Sequence, residues 1–478
     1  MWQPVLMISG YVLGILGVIM LIPACLDMAN PAADWSPFLS SSLIAAFFGF
    51  SLFLANYAKI ERITLKQGYL ITAVCWISVC LFSALPFGLH HSVDNVVDAI
   101  FEATSGITGT GASIMSDVES QPQSILLWRS LLNYIGGLGI VIFAVALLPF
   151  LGIGGMQIFQ HENSDSNDKF MPKFSYIAKR IVAVYLVLTA ISVCALYLCG
   201  MDIFQAVNHA MSAIGTGGFS SKNHSVASFN SFPIELVIMV SMLVGALPMT
   251  FYILLARHTH PDKNKQVRVF LKSVCLLAFI LSIYLYLTSD NSLFYALRYG
   301  FFTVIAIATT TGLSSCDYTA WGSWVPATIL LLSFSGGCTG STTGSIKIFR
   351  WQVIYAFLRK YMISAVEPNR VTLLKIGSIN MPEKATMSVF VYVFAFMISL
   401  IGLTVLVSTC GTDLHTALSA VTACITNVGV GAINIIGPEG NYAFFSPTVK
   451  SILCFAMLLG RLEIITILVI CTKSFWRS

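Results

Sequence analysis

Apolar positions fall along this chain in long runs of about twenty residues, the length that crosses the ~30 Å hydrocarbon core of a bilayer as a helix. Two such runs come first, about Pro4–Met28 and Pro37–Tyr57, joined by a short loop that holds acids and no Lys or Arg. The pattern then settles into four units of one plan: a long apolar run, a short amphipathic run, a polar Gly-centred loop and a second long run. The first unit uses Leu70–Leu89 and Ile125–Leu151, the second Ile181–Leu198 and Ile234–Ala256. The third uses Val269–Leu287 and a long segment from Trp321 to about Met362, the fourth Ser388–Ser408 and Ser446–Thr472. This predicts an all-α polytopic membrane protein of about ten spanning helices, with four half-spans between them. The expected units are a helix pair at 1–65 and repeats at 66–165, 166–262, 263–375 and 376–478.

The short run and its loop carry the repeat. Phe101–Ser113 (FEATSGITGTGAS) recurs as Ala206–Ser220 (AVNHAMSAIGTGGFS), Val304–Ser315 (VIAIATTTGLSS) and Ala417–Gly431 (ALSAVTACITNVGVG). Alignment on Gly111, Gly217, Gly312 and Gly429 gives a period of about one hundred residues. Just before the glycine stand Thr110, Thr216, Thr311 and Val428, and three places before it Thr108, Ile214, Thr309 and Thr426. Each short helix begins near an acid able to cap it: Asp94 or Asp98, Asp202, Asp290 and Asp413.

Composition and charge placement support the membrane reading. Hydrophobic residues make up 56% of the 478 positions and charged residues 10%, where soluble domains carry roughly 25%. Basic residues cluster at Lys59–Lys66, Lys169–Arg180, Arg257–Lys272, Arg350–Lys384 and Lys473–Arg477, with only Arg129, Lys222, Arg298 and Lys450 on the opposite side. The positive-inside rule then places both termini in the cytoplasm and the four Gly loops outside, provided the short helices cross only part-way. The N-terminus lacks a basic region and a small-residue cleavage site, so the first run reads as a retained helix. The twelve cysteines show no metal spacing, and no basic–aromatic run suggests nucleic acid. No nucleophile–base set points to an enzyme; His209 stands alone on the second short helix.

A part-way helix leaves its last carbonyls without partners, which is tolerated only where protein or a water-filled cavity receives them. Four such helices running inward aim their negative ends at one centre, and that makes a cation site. A pore that dehydrates a cation replaces the water with rings of backbone carbonyls, and turning successive carbonyls to one side favours Gly. The Thr hydroxyls can hold the loop or offer a ligand oxygen; Asn427-Val428 leaves the fourth quadrant to its backbone. Gly and Thr also recur at plain helix contacts in membranes. Four copies in register on one side favour the pore.

The strings TSGITGTGAS, AIGTGGFS, ATTTGLSS and ITNVGVG resemble the four filter loops of the Trk/Ktr/HKT superfamily of potassium transporters, over the whole chain. The N-terminal helix pair and the length resemble its bacterial TrkH/TrkG branch. The resemblance implies four M1–P-loop–M2 repeats in pseudo-fourfold arrangement around one pore in the bacterial inner membrane, and a homodimer with separate pores. It also implies a cytosolic TrkA-type nucleotide-binding regulator, with nucleotide on that partner and no cofactor on this chain. Potassium would be held along Thr108, Gly109, Thr110 and Gly111; Ile214, Gly215, Thr216 and Gly217; Thr309, Thr310, Thr311 and Gly312; and Thr426, Asn427, Val428 and Gly429.

Phe334–Arg350 (FSGGCTGSTTGSIKIFR) interrupts the long segment of the third unit. A helix does not run comfortably through Gly336, Gly337, Gly340 and Gly344, so a break is expected whose loop lines the cavity below the filter. It resembles the family's intramembrane gating loop and ends at Lys347. Arg461, inside the last apolar run, needs a partner at that depth; Glu463 points elsewhere on a helix, and carbonyls of the 336–344 loop are the better candidates. The reading is a gated potassium pore. A secondary transporter coupling potassium entry to protons or sodium is the alternative, though such folds favour inverted repeats.

Overall fold

The structure, a computed structural model, describes residues 1–31, 33–58, 63–146, 170–256, 265–288, 292–322, 324–370, 374–376 and 379–477. The chain folds as an all-α polytopic protein. Among the described residues seven helices are long and apolar enough to cross a membrane, nine if each of two bent pairs is one span. The second long segment of the third repeat lies outside that count, because the Gly-rich stretch splits it into Val325–Ser333 and Ile348–Val366.

Trp2–Met28 and Ser36–Ala55 form the N-terminal hairpin. They approach so closely that a Cβ on Gly10 would lie 2.6 Å from the Gly49 carbonyl oxygen, and the Ser42 hydroxyl donates to the Gly17 carbonyl. Small residues at such a contact are how helices associate where lipid competes for apolar surface. Leu65–Ser83 follows, opened by a Thr64/Gln67 capping box. The remaining long helices are Gln123–Ala146, Phe170–Leu198, Lys265–Thr288 and Glu383–Thr409.

Four short helices alternate with them: Val96–Thr108, Ile203–Ile214, Leu293–Ala308 and Leu414–Ile425. At 1.5 Å per residue they reach about 18–24 Å, short of a full crossing. Their last turns are buried all round, from Phe101 to Thr108 and from Ser419 to Ile425 for example. Asp202 and Asp413 cap the second and fourth as expected. Asn95 caps the first in place of Asp94 or Asp98, with Asp98 on its side-chain amide. Ser292 caps the third, and Asp290 lies outside the described residues. So do Lys59, Arg62, Lys169, Arg257 and Lys263 of the basic loops.

Two runs expected as single helices are broken. Ile234–Ala256 divides into Phe232–Ala246 and Met249–Ala256, bent by 93°. Pro248 has no amide to continue the ladder, and the Gly-rich loop occupies the gap: Cys338 N donates to Ala246 O at 2.9 Å and Met249 N to Gly340 O at 3.1 Å. Ser446–Thr472 divides into Pro447–Arg461 and Ile464–Ile470, bent by 110°. The three largest apolar cores lie between the N-terminal pair and the first repeat, across the second and third, and mainly in the fourth with Phe101 and Phe334 packed into it. The C-terminal turn packs back onto the N-terminus, with Trp476 beside Trp2 and Lys66 Nζ on the Phe475 carbonyl.

Candidate functional site

The four short helices end alike. Gly109, Thr216, Thr310 and Asn427 donate their amides three residues back, and Thr110, Gly217, Thr311 and Val428 donate five back, to Ser105, Ser212, Ala306 and Ala423. This sets the register of the repeats: Gly218, not Gly217, is the partner of Gly111, Gly312 and Gly429. Their φ angles agree, +81° against +78°, +74° and +78°. The second quartet is therefore Gly215–Gly218, and Ile214 is the last residue of its helix. The sequence offers two adjacent glycines there, and matching the Thr-Gly string selected the wrong one.

In this register the loops close into a cycle. A Cβ added to Gly111 would lie 2.6 Å from the Gly217 carbonyl oxygen, and one on Gly218 would lie 2.2 Å from that of Thr311. One on Gly312 would lie 2.0 Å from the Val428 oxygen, and one on Gly429 2.0 Å from the Thr110 oxygen. Each loop thus offers the carbonyl before its glycine to the glycine of a neighbour, and the fourth returns to the first. Both the positive φ and the close approach exclude a side chain.

A second cycle lies two residues further on. The carbonyl of Ser113 accepts from Tyr442 N, and that of Ser220 from the Arg129 guanidinium. The Ser314 carbonyl accepts from Val226 N, and that of Gly431 from the Tyr318 hydroxyl at 2.8 Å. Every donor belongs to the preceding repeat, so the mouth of the ring is laced all the way round.

Threonine hydroxyls mostly hold the loops. Thr108, Thr309 and Thr426 each donate 2.7 Å to the carbonyl four residues back, while Gly215 stands in their place in the second loop. Below them is a strained row: Thr216, Thr310 and Asn427 have φ of +50°, +53° and +56°, matching Gly109 at +63°. A β-branched residue there costs of order 1–3 kcal/mol and persists only when its surroundings fix it. The Gly-rich loop supplies the fixing. Thr342 Oγ1 lies 3.0 Å from Thr216 Oγ1, Gly344 N donates to Thr310 Oγ1 at 2.9 Å, and Asn427 Oδ1 faces Gly344.

Arg461 lies under the same row. Its Nη1 donates to the Thr342 carbonyl at 2.7 Å and its Nη2 to the Gly136 carbonyl at 3.2 Å, 3.5 Å from where a Cβ on Gly109 would stand. The expected gate residues are thereby brought together. Gly336 and Lys347 pair in a short parallel ladder, Gly337 and Gly340 fill the break after Ala246, and Gly344 touches two loops. Lys347 is buried, as is Arg461. The small cavity beneath is lined by Thr343, Ser345, Lys347, Tyr392, Arg461 and Glu463.

Sequence reasoning missed the charge pairs that brace the ring. Among the described residues each cation on the loop side has a carboxylate partner: Arg129 with Glu102 at 2.8 Å, Arg298 with Glu235 at 2.7 Å, Lys450 with Asp98 at 2.6 Å, and half-buried Lys222 with Glu119. Glu102 also accepts from Ser113 Oγ and Ile114 N, and Arg129 stacks on Phe219, which fixes the first two loops to each other. Lone charges inside apolar runs were the available signal. In the segments that follow the first two loops, the Asn223 amide holds the Asp117 carboxyl below the usual carboxylate range, and Lys222 does the same for Glu119. His209 is buried between the Gln205 carbonyl and Ser220 Oγ, a packing role.

Four helix C-termini and a cycle of backbone oxygens have the chemistry that replaces the water of a bare cation. A family model described as "TrkH: Cation transport protein" matches residues 37–477. The chain is 34% identical to the Trk system potassium uptake protein TrkI of Halomonas elongata, over 100% of this chain and 97% of that one. It is 30% identical to the Trk system potassium uptake protein TrkH of Escherichia coli, over 96% of each. The crystal structure of the potassium transporter TrkH from Vibrio parahaemolyticus is similar with a TM-score of 0.93 at 30% identity, over 100% of both chains.

Proposed function

This chain belongs to the TrkH family of cation transport proteins, and from that premise we propose that it is the pore-forming subunit of a Trk-type potassium uptake system. Potassium passes the bacterial inner membrane through the four loops, arranged in pseudo-fourfold fashion, each giving backbone oxygens to shared rungs. The filter residues are Thr108–Gly111, Gly215–Gly218, Thr309–Gly312 and Thr426–Gly429. One observation carries the reading: the loop glycines and the carbonyls before them make a closed four-membered cycle.

Stripping water from potassium needs oxygens held at fixed separation. The lacing at Ser113, Ser220, Ser314 and Gly431 supports that rigidity, as do the buried pairs behind it. The 336–345 loop and Arg461 form the resting gate. A guanidinium tethered to the Thr342 and Gly136 carbonyls puts positive charge under the filter and repels an incoming cation. The pore works as a homodimer under a cytosolic nucleotide-binding regulator, for which the basic inner segments such as Lys265–Lys272 and Arg359–Lys384 supply charged surface. Both termini face the cytoplasm.

The test is cation flux in proteoliposomes with potassium, rubidium and sodium, with Gly312→Ser alongside. Downhill flux that favours potassium, and loses that preference in Gly312→Ser, is the expected result. Flux that requires an imposed proton or sodium gradient would instead make this a coupled transporter, and flux indifferent to Gly312→Ser would remove the filter from these loops.

A further inference from the structure

The last long helix breaks where its sequence gives no reason to break. No Pro lies at the bend and no Gly from Arg461 to Ile464, Gly460 being the helical residue before it, and the apolar pattern on both sides is that of one continuous helix. Yet the chain turns by 110° between Arg461 and Ile464, and Glu463 takes φ +60° and ψ 107°, a conformation that L side chains rarely adopt. Strain of this kind needs an external hold.

The hold is visible. Glu463 is buried, and its carboxylate is paired with the guanidinium of Arg350, itself 3% exposed. Arg350 is fixed from the other side by the Tyr392 ring, whose centroid lies 3.7 Å from the guanidinium carbon. Arg350 stands in the first turn of Ile348–Val366, three residues after Lys347 closes the Gly-rich loop. The pair therefore joins the break in the fourth repeat to the helix that leaves the gating loop of the third. Two residues before Glu463, Arg461 makes its bonds to the Thr342 and Gly136 carbonyls.

We propose that Arg350 and Glu463 are a positioning pair: by holding the strained break open they keep the Arg461 guanidinium beneath the filter. Parting the pair releases the strain into a straighter helix, whose backbone no longer presents Arg461 to Thr342 and Gly136. From Tyr355, 69% exposed, to Val366 at 81%, Ile348–Val366 is largely exposed, so motion imposed there reaches Arg350 through one helix. This inference rests on the pore reading above.

The experiment compares basal potassium and sodium flux, without any regulator, for the parent, Glu463→Gln, Arg350→Gln, the exchanged pair Arg350→Glu with Glu463→Arg, Arg461→Gln and Gly312→Ser. Each single change at the pair should raise basal potassium flux roughly tenfold, the scale on which losing a buried ionic partner shifts a two-state equilibrium. The potassium-to-sodium ratio should stay at the parental value, because the filter is untouched, and the exchanged pair should return most of the way to parental flux. Parental flux in both single variants, with Arg461→Gln raising it, would overturn the positioning role and leave the pore reading intact. An exchanged pair as leaky as the singles would overturn it too, since pairing would then not be what matters. If neither Arg461→Gln nor Gly312→Ser changes flux, the pore reading itself falls and takes this inference with it.

Discussion

Two adjacent glycines show how much one residue's register decides. Gly217 lies at an ordinary φ, and the three atoms nearest to a Cβ there belong to the Asn133 side chain, at 2.2–2.5 Å. Gly218 has φ +81° and the Thr311 carbonyl 2.2 Å from its added Cβ, backbone that cannot move without opening the cycle. Gly217→Ala should therefore lower potassium preference and regain much of it when combined with Asn133→Gly, which removes the three nearest atoms at a helix cost of about 1 kcal/mol. Gly218→Ala should lose preference with no side-chain rescue. Ion-competition flux on Gly217→Ala and Gly218→Ala, each with and without Asn133→Gly, checks this, and equal rescue of both alanines would return the register to Gly217. Asn427 illustrates a signal that was legible in part: Asn tolerates the left-handed region better than other residues, so its place before Val428-Gly429 marked a special backbone site. That Thr216 and Thr310 share this conformation was not legible, because β-branched residues argue against it.

At the scale of elements, caps and breaks separate what local chemistry dictates from what packing imposes. The Asp202 and Asp413 carboxylates accept from the first amides of their helices, as Asp at an N-cap is expected to do. Asp413→Ala should lower stability by about 1 kcal/mol, read as a reduced unfolding temperature in detergent. It should leave potassium-over-sodium flux unchanged, since the cap lies at the opposite end of its helix from the ring. A change in selectivity without a change in stability would show that this cap steers the loop instead. The bend at Leu247-Pro248 has a sequence cause in proline together with a tertiary one, the inserted Gly-rich loop. The bend after Arg461 has only a tertiary cause. That is why periodicity returned one helix over Ser446–Thr472 where there are two.

At the scale of the whole molecule, the asymmetry of Lys and Arg and the pairing of charges tell one story. Cations on the loop side are neutralised by acids, while the clusters on the other side include exposed ones such as Arg359 and Lys384. An impermeant thiol reagent should label Ser120→Cys on intact cells and Lys384→Cys only after permeabilisation, in a background where the exposed native cysteines are replaced. Labelling of Lys384→Cys on intact cells would invert the topology.

The sequence alone determined the membrane class, the four short helices and the break in the Gly-rich segment after Phe334. Apolar run length, Gly clustering and charge placement are local or one-dimensional, and a chain carries them openly. Only the tertiary structure decided the second loop's register, the cyclic order in which carbonyls meet glycines, the carboxylate partners of Arg129, Arg298 and Lys450, and the break held by Arg350 and Glu463. Those depend on which residues, often a hundred or more positions apart, come within 3 Å of each other, and a bilayer-buried polar group accepts whichever partner packing brings within reach.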